Sequence, residues 1–83
     1  DDQMSVFEDL KKIIVEIKDL PEDSITLDSR FEEDLEADSL DIVEMLMSLE
    51  ELYDIQIPEE IAEGMKTVQD VVEYVTAKLE ENA

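Results

Sequence analysis

The chain has 83 residues, with 26 acidic and 6 basic side chains and a net charge of −20 at pH 7. A chain of that length reads as one small domain, 1–83, that buries roughly 60% of its unfolded surface. Its charge repels nucleic acid and anionic membrane and attracts basic protein patches. Cysteine and histidine are both absent, which excludes disulfides, zinc sites, Ser-His-Asp catalysis and Cys-His catalysis.

Charge this high can leave a chain disordered. Here 43% hydrophobic content with clear periodicity argues for a folded domain. No apolar run approaches the ~18 residues of a membrane span, so no membrane insertion is expected. No signal peptide is visible, and the chain does not begin with Met, which leaves the compartment open.

One glycine and two prolines favour helices. Ser5 and Glu8 have the spacing of a capping box. Val6, Phe7, Leu10, Ile13, Ile14 and Ile17 follow at helical spacing. This first helix is predicted to end near Lys18, because Leu20 precedes Pro21. Residues 19–38 lack long periodicity, and Ile25, Leu27, Phe31 and Leu35 are spaced like anchors that pin a long loop to a core. Loops of this length are often functional. A second helix is predicted over 39–53. Pro58 opens a short third helix as its first residue, and Gly64 stops it. Thr67 to Asp70 opens the last helix like a shortened capping box. That helix has one apolar face, Val68, Val71, Val72, Val75 and Leu79, and fraying is expected beyond Leu79.

The second helix has two apolar faces. At about 100° per residue, Ile42, Met45, Leu46, Leu49, Leu52 and Tyr53 form a core arc. Leu40, Val43 and Met47 form a narrow stripe nearly opposite. Glu44 and Glu51 lie along one side of that stripe, with Asp41 and Ser48 further round, and Glu50 lies along the other side. A lone apolar stripe is usually core, but an acid-fenced one has the pattern of a binding surface with a charged rim. Met47 suits contact with several partners. From Glu32 to Glu63 there are 13 acids and no basic residue, a field that steers basic partners.

Ser39 stands at the start of this helix, between Asp38 and Leu40. Its ordinary role there is structural, with Asp38 accepting from first-turn amides. It has no histidine to activate it and no lysine at helical spacing, so self-catalysed chemistry is not expected. Modification by another enzyme requires only an exposed hydroxyl and a place that tolerates phosphate. A helix N-terminus offers that place, although Asp38 and Asp41 partly offset it.

Leu35-Glu36-Ala37-Asp38-Ser39-Leu40-Asp41, followed by Val43-Glu44 and Leu49-Glu50-Glu51, resembles the prosthetic-group region of acyl carrier proteins. Ile57-Pro58 and Thr67-Val68-Gln69-Asp70 resemble later landmarks of that family, so the likeness covers nearly the whole chain. It implies an all-α fold, a four-helix bundle with three main helices, one short helix and a long loop between the first two. It implies that Ser39 is esterified to 4′-phosphopantetheine by a separate phosphopantetheinyl transferase using coenzyme A. The arm's terminal thiol then holds acyl chains as thioesters, so a chain without cysteine takes part in thiol chemistry. The implied partner contacts are Asp38, Leu40, Asp41, Val43, Glu44, Met47, Glu50, Glu51 and Met65. The implied acyl-pocket lining is Phe31, Met45, Leu49, Ile57, Ala62, Met65, Val71 and Val75; ordinary core is their compatible alternative role.

The expected function is therefore a non-catalytic, monomeric carrier that serves fatty acid synthesis enzymes with basic docking patches, in the cytoplasm or in an organelle after leader removal. Carriers of polyketide, nonribosomal peptide or D-alanine pathways are the alternative within the class. An unmodified acidic adaptor bundle is the alternative outside it. A calcium sensor lacks support, because no segment has the EF-hand order of acids around a glycine, and no metal site is expected. At Glu36 the family usually has glycine. The backbone there is either ordinary or left-handed at a cost of about 1 kcal/mol.

Overall fold

The computed structural model describes residues 3–81. Among the described residues there are four helices, α1 (Gln3–Lys18), α2 (Ser39–Tyr53), α3 (Glu59–Glu63) and α4 (Val68–Glu81), with a single 3-10 turn at Glu22–Ser24. Among the described residues there is no strand, only one isolated antiparallel bridge between Arg30 and Thr67. The all-α fold with three main helices and one short one is the expected architecture.

Helix α1 packs against both α2 and α4. Its apolar side buries Val6, Phe7, Leu10 and Ile14. Helix α4 contributes Val68, Val71, Val72 and Val75, all inaccessible to solvent, and α2 contributes Met45, Leu46 and Leu49. Burying such side chains stabilises the fold by about 1.5–3 kcal/mol each. The Tyr53 hydroxyl donates to Asp9 Oδ2, which ties the end of α2 to α1. Burial, and then the Asp9 carboxylate, push the Tyr53 phenol well above its ordinary value.

The long loop is anchored as its apolar spacing predicts. Ile25, Phe31 and Leu35 are buried, and Leu27 packs against the same core. The loop contains hydrogen-bonded structure as well as the 3-10 turn. Phe31 N donates to Lys66 O, Val68 N to Ser29 O and Gln69 N to Leu27 O, all at 3.0 Å, which seams the loop to the start of α4.

Helix ends show where local signals held and where they failed. Helix α1 begins at Gln3, so Ser5 lies inside its first turn instead of capping it. Glu8, expected to complete that box, pairs with Lys11 at 3.0 Å. Helix α3 begins at Glu59, with Pro58 as its cap residue. Gly64 ends α3 with φ −85°, a right-handed conformation open to any residue. The left-handed positions are Asp19, Glu36 and Asp54, with φ of 55°, 53° and 55°. Asp19 and Asp54 follow α1 and α2 directly, and aspartate tolerates that region better than most residues. Helix α4 opens as expected: Thr67 Oγ1 accepts from Asp70 N at 3.2 Å, and Asp70 Oδ2 accepts from Thr67 N at 3.1 Å. It continues to Glu81, two residues past the expected end.

Leu52 departs from the core arc. It is 57% exposed, because it sits at the edge of that arc and turns away from the core.

Candidate functional site

Helix α2 starts at Ser39 because Asp38 caps it. Asp38 Oδ1 accepts from Asp41 N at 2.9 Å, and Asp41 Oδ2 accepts from Asp38 N at 3.2 Å. The box satisfies two amides reciprocally and leaves Ser39 as the first helical residue. Ser39 is exposed. Capping therefore falls to the neighbouring aspartates, and the serine hydroxyl has no part in it.

The second stripe of α2 faces solvent. Leu40 is 74% exposed, Val43 49% and Met47 56%. Apolar side chains left uncovered in a row have the character of an interaction surface. Asp38, Glu44 and Glu51 are exposed beside them. A shallow depression lined by Met47, Glu50, Glu51, Asp54, Ile55 and Gln56 extends this face beyond the end of the stripe.

Besides Asp38, whose Oδ1 caps the helix, two more of the acids assigned to that surface have partners inside the protein. Asp41 Oδ2 receives the Lys18 ammonium at 2.9 Å, bridging the end of α1 to the start of α2. The Lys18 hydrogen bond, then the Asp38 N–H, hold the Asp41 carboxyl below its ordinary value, and Lys18 is correspondingly raised. Glu50 Oε2 accepts from Ile57 N at 2.7 Å. Among the described residues the carboxylates of Glu44 and Glu51 have no such partner. Met65, expected also as a partner contact, is only 6% exposed. It points inward because the turn after α3 folds back over the core, which leaves it almost no surface for docking.

Ser39 also stands on the wall of a cavity of about 640 Å³ between α2, α3 and the seam of loop and α4. That volume lies within the range of small-ligand sites. Of the expected pocket lining, Phe31, Ala62 and Met65 reach this cavity. Met45, Leu49, Ile57, Val71 and Val75 are buried in the closed core and do not line it. Periodicity separated buried from exposed positions but did not say which buried positions border the opening.

Ile42, Val43 and Leu46 complete the apolar wall, and none was expected there. The available signal was their place on the same side of α2 as Ser39 at about 100° per residue. The rim carries Glu32, Glu33, Glu59 and Glu63, with Arg30 and Lys66 as its cations. Arg30 is occupied by Glu33 at 2.7 Å and Asp34 at 3.2 Å. Its guanidinium hydrogen bond is the main reason the Asp34 carboxyl lies below its ordinary value. Among the described residues no group of acids is placed to hold a metal ion, and no helix is long and apolar enough to cross a membrane.

An exposed hydroxyl at a helix start, an apolar cleft beside it and an acid-fenced apolar stripe suit a covalently attached arm better than a catalytic centre. The Phosphopantetheine attachment site family matches residues 8–75. The acyl carrier protein of Clostridium perfringens (strain SM101 / Type A) is 55% identical over 75 residues, covering 90% of this chain and 99% of that protein. That of Helicobacter hepaticus is 50% identical over 74 residues, covering 89% and 97%. That of Campylobacter lari is 46% identical over 72 residues, covering 87% and 94%. With a family match over most of its length and this identity to whole relatives, the chain belongs to the acyl carrier protein family, whose members bear a phosphopantetheine group.

Proposed function

We propose that this protein carries growing acyl chains on a 4′-phosphopantetheine arm esterified to Ser39 and delivers them to enzymes of fatty acid synthesis. The observation that carries the reading is the position of Ser39: exposed, first in α2, and on the wall of the 640 Å³ cavity. Once attached, the arm supplies a terminal thiol on which acyl groups travel as thioesters.

The chain's own residues hold, shelter and present. The Asp38–Asp41 box fixes the first turn of α2, so Ser39 is held at a defined helix start. The dipole of that helix favours an anionic ester there. The cleft walls, Phe31, Ile42, Leu46, Ala62 and Met65, exclude water from an apolar chain that enters beside Ser39. Leu40, Val43 and Met47 form the apolar centre of the docking face, with Glu44 and Glu51 as acids open to basic partners. Among the described residues no side chain hydrogen-bonds the Ser39 hydroxyl, so attachment depends on a phosphopantetheinyl transferase. The protein acts as carrier and not as catalyst, working as a monomer in the cytoplasm.

Incubation with coenzyme A and a broad-specificity transferase, followed by intact-protein mass spectrometry, tests this. The wild type gains one phosphopantetheine and Ser39→Ala gains none while melting as the wild type does. No mass gain on the wild type sinks the proposal.

A further inference from the structure

Lys18 is a feature that the carrier reading does not use. It is the last residue of α1, and its ammonium lies 2.9 Å from Asp41 Oδ2. It also lies within electrostatic reach of Asp38 and Glu36. Lys18 thus faces three acids clustered around Ser39. Both pair members are about three-quarters buried, with side-chain exposures of 23% and 24%, so solvent screens them less than a surface pair. The same Asp41 oxygen also accepts from Asp38 N at 3.2 Å. A partner's cation arriving at Asp41 meets a carboxylate whose Oδ2 already has two donors. Further along the helix, Glu44 and Glu51 present carboxylates with no internal partner among the described residues.

We infer that Lys18 is a positioning residue for docking: it occupies Asp41, weakens the negative field at the Ser39 end of α2, and so shifts basic partners onto Glu44 and Glu51. The inference rests on the reading of α2 as the docking face. Its physical basis is competition. An internal ammonium held in place by the fold requires no association step, whereas a partner's cation must displace it or settle for the remaining oxygen. Steering depends on the summed local field, so a cation beside Ser39 changes where a basic patch settles first as well as how fast it arrives.

The test is steady-state loading by the same transferase and coenzyme A, with apo-protein as the varied substrate. Lys18→Met is expected to lower KM about threefold with kcat unchanged, and to steepen the rise of KM with salt. Lys18→Arg, which keeps the charge, restores the wild-type KM. Lys12→Met makes the same charge change six residues earlier on α1 and leaves KM near wild type. In an Asp41→Asn background, Lys18→Met loses most of its effect. An unchanged or raised KM in folded Lys18→Met overturns the inference, as does an equal effect from Lys12→Met. A comparison that leaves Lys18 intact guards against misfolding of its variant: Glu44→Gln raises KM more than Asp41→Asn does, and the reverse order overturns the inference. All of these outcomes presuppose that the wild type is loaded, so they are distinct from failure of the carrier reading itself.

Discussion

The carboxylate of Glu50 accepts the backbone N–H of Ile57 at 2.7 Å, closing the turn that follows α2. Ile57 is buried, so this amide has little water to turn to. Glu50→Ala strands it and is expected to cost about 1–2 kcal/mol. Glu50→Gln keeps an acceptor and loses less than half of that. Urea melts of both variants check the order; equal losses show that the amide does not depend on Glu50.

Glu36 holds φ at 53° without the short polar side chain that eases this conformation in aspartate. Replacing it by glycine is expected to stabilise the fold by about 0.5–1 kcal/mol, the relief of left-handed strain less the entropy of a freer unfolded chain. Glu36→Ala removes the same charge but keeps the strain, so it separates backbone from electrostatics. If alanine stabilises as much as glycine in thermal melts, the gain is electrostatic and strain is not its source.

Thr76 is 6% exposed on α4, and its hydroxyl has no hydrogen-bond partner among the described residues. A buried hydroxyl left unpaired costs free energy that an apolar group of similar shape does not. Thr76→Val is therefore expected to raise stability by about 1 kcal/mol, with unchanged helicity by circular dichroism. A loss of stability shows that the hydroxyl is satisfied in solution.

Stability should depend on pH with two opposed slopes. Asp41 and Asp34 have folded-state values below the ordinary 3.8, through Lys18 and Arg30 respectively. Their contribution is present above 3.8 and is lost as pH falls through the lower folded values. Lys18 is raised above 10.5, so its contribution is present below 10.5 and is lost as pH rises through its folded value. The pair therefore stabilises across neutral pH. The net charge of −20 adds self-repulsion, which salt screens. Melting temperature is expected to fall below about pH 4 and again at strongly alkaline pH, and added salt at pH 7 should raise it. Asp41→Asn flattens the acid-side fall. An acid-side fall of wild-type size in Asp41→Asn contradicts the role of the pair.

Local sequence was a good guide wherever the deciding contacts are close in the chain. The bounds of α2, the Thr67–Asp70 box and the solvent-facing Leu40-Val43-Met47 stripe all follow from neighbours within a few residues. Ser5 misled because its capping pattern is also compatible with a helix that begins three residues earlier, at Gln3 and not at Val6. Leu52 misled because a periodicity arc does not say how far round its edge the neighbouring elements reach.

By itself the sequence determined that this is a helical fold with Ser39 at a helix start beside an acid-fenced apolar stripe. Composition and the helical period are sufficient for that, since both act over one or two turns. Tertiary structure decided which acids remain open. Asp41 is occupied by Lys18 from 23 residues away and Glu50 by the turn beyond its own helix, and no local pattern encodes such meetings. It also decided that the cleft opens beside Ser39 and not among the deeper core side chains. A cavity belongs to the space between elements, and its walls are known only when α2, α3 and the loop seam are set against one another.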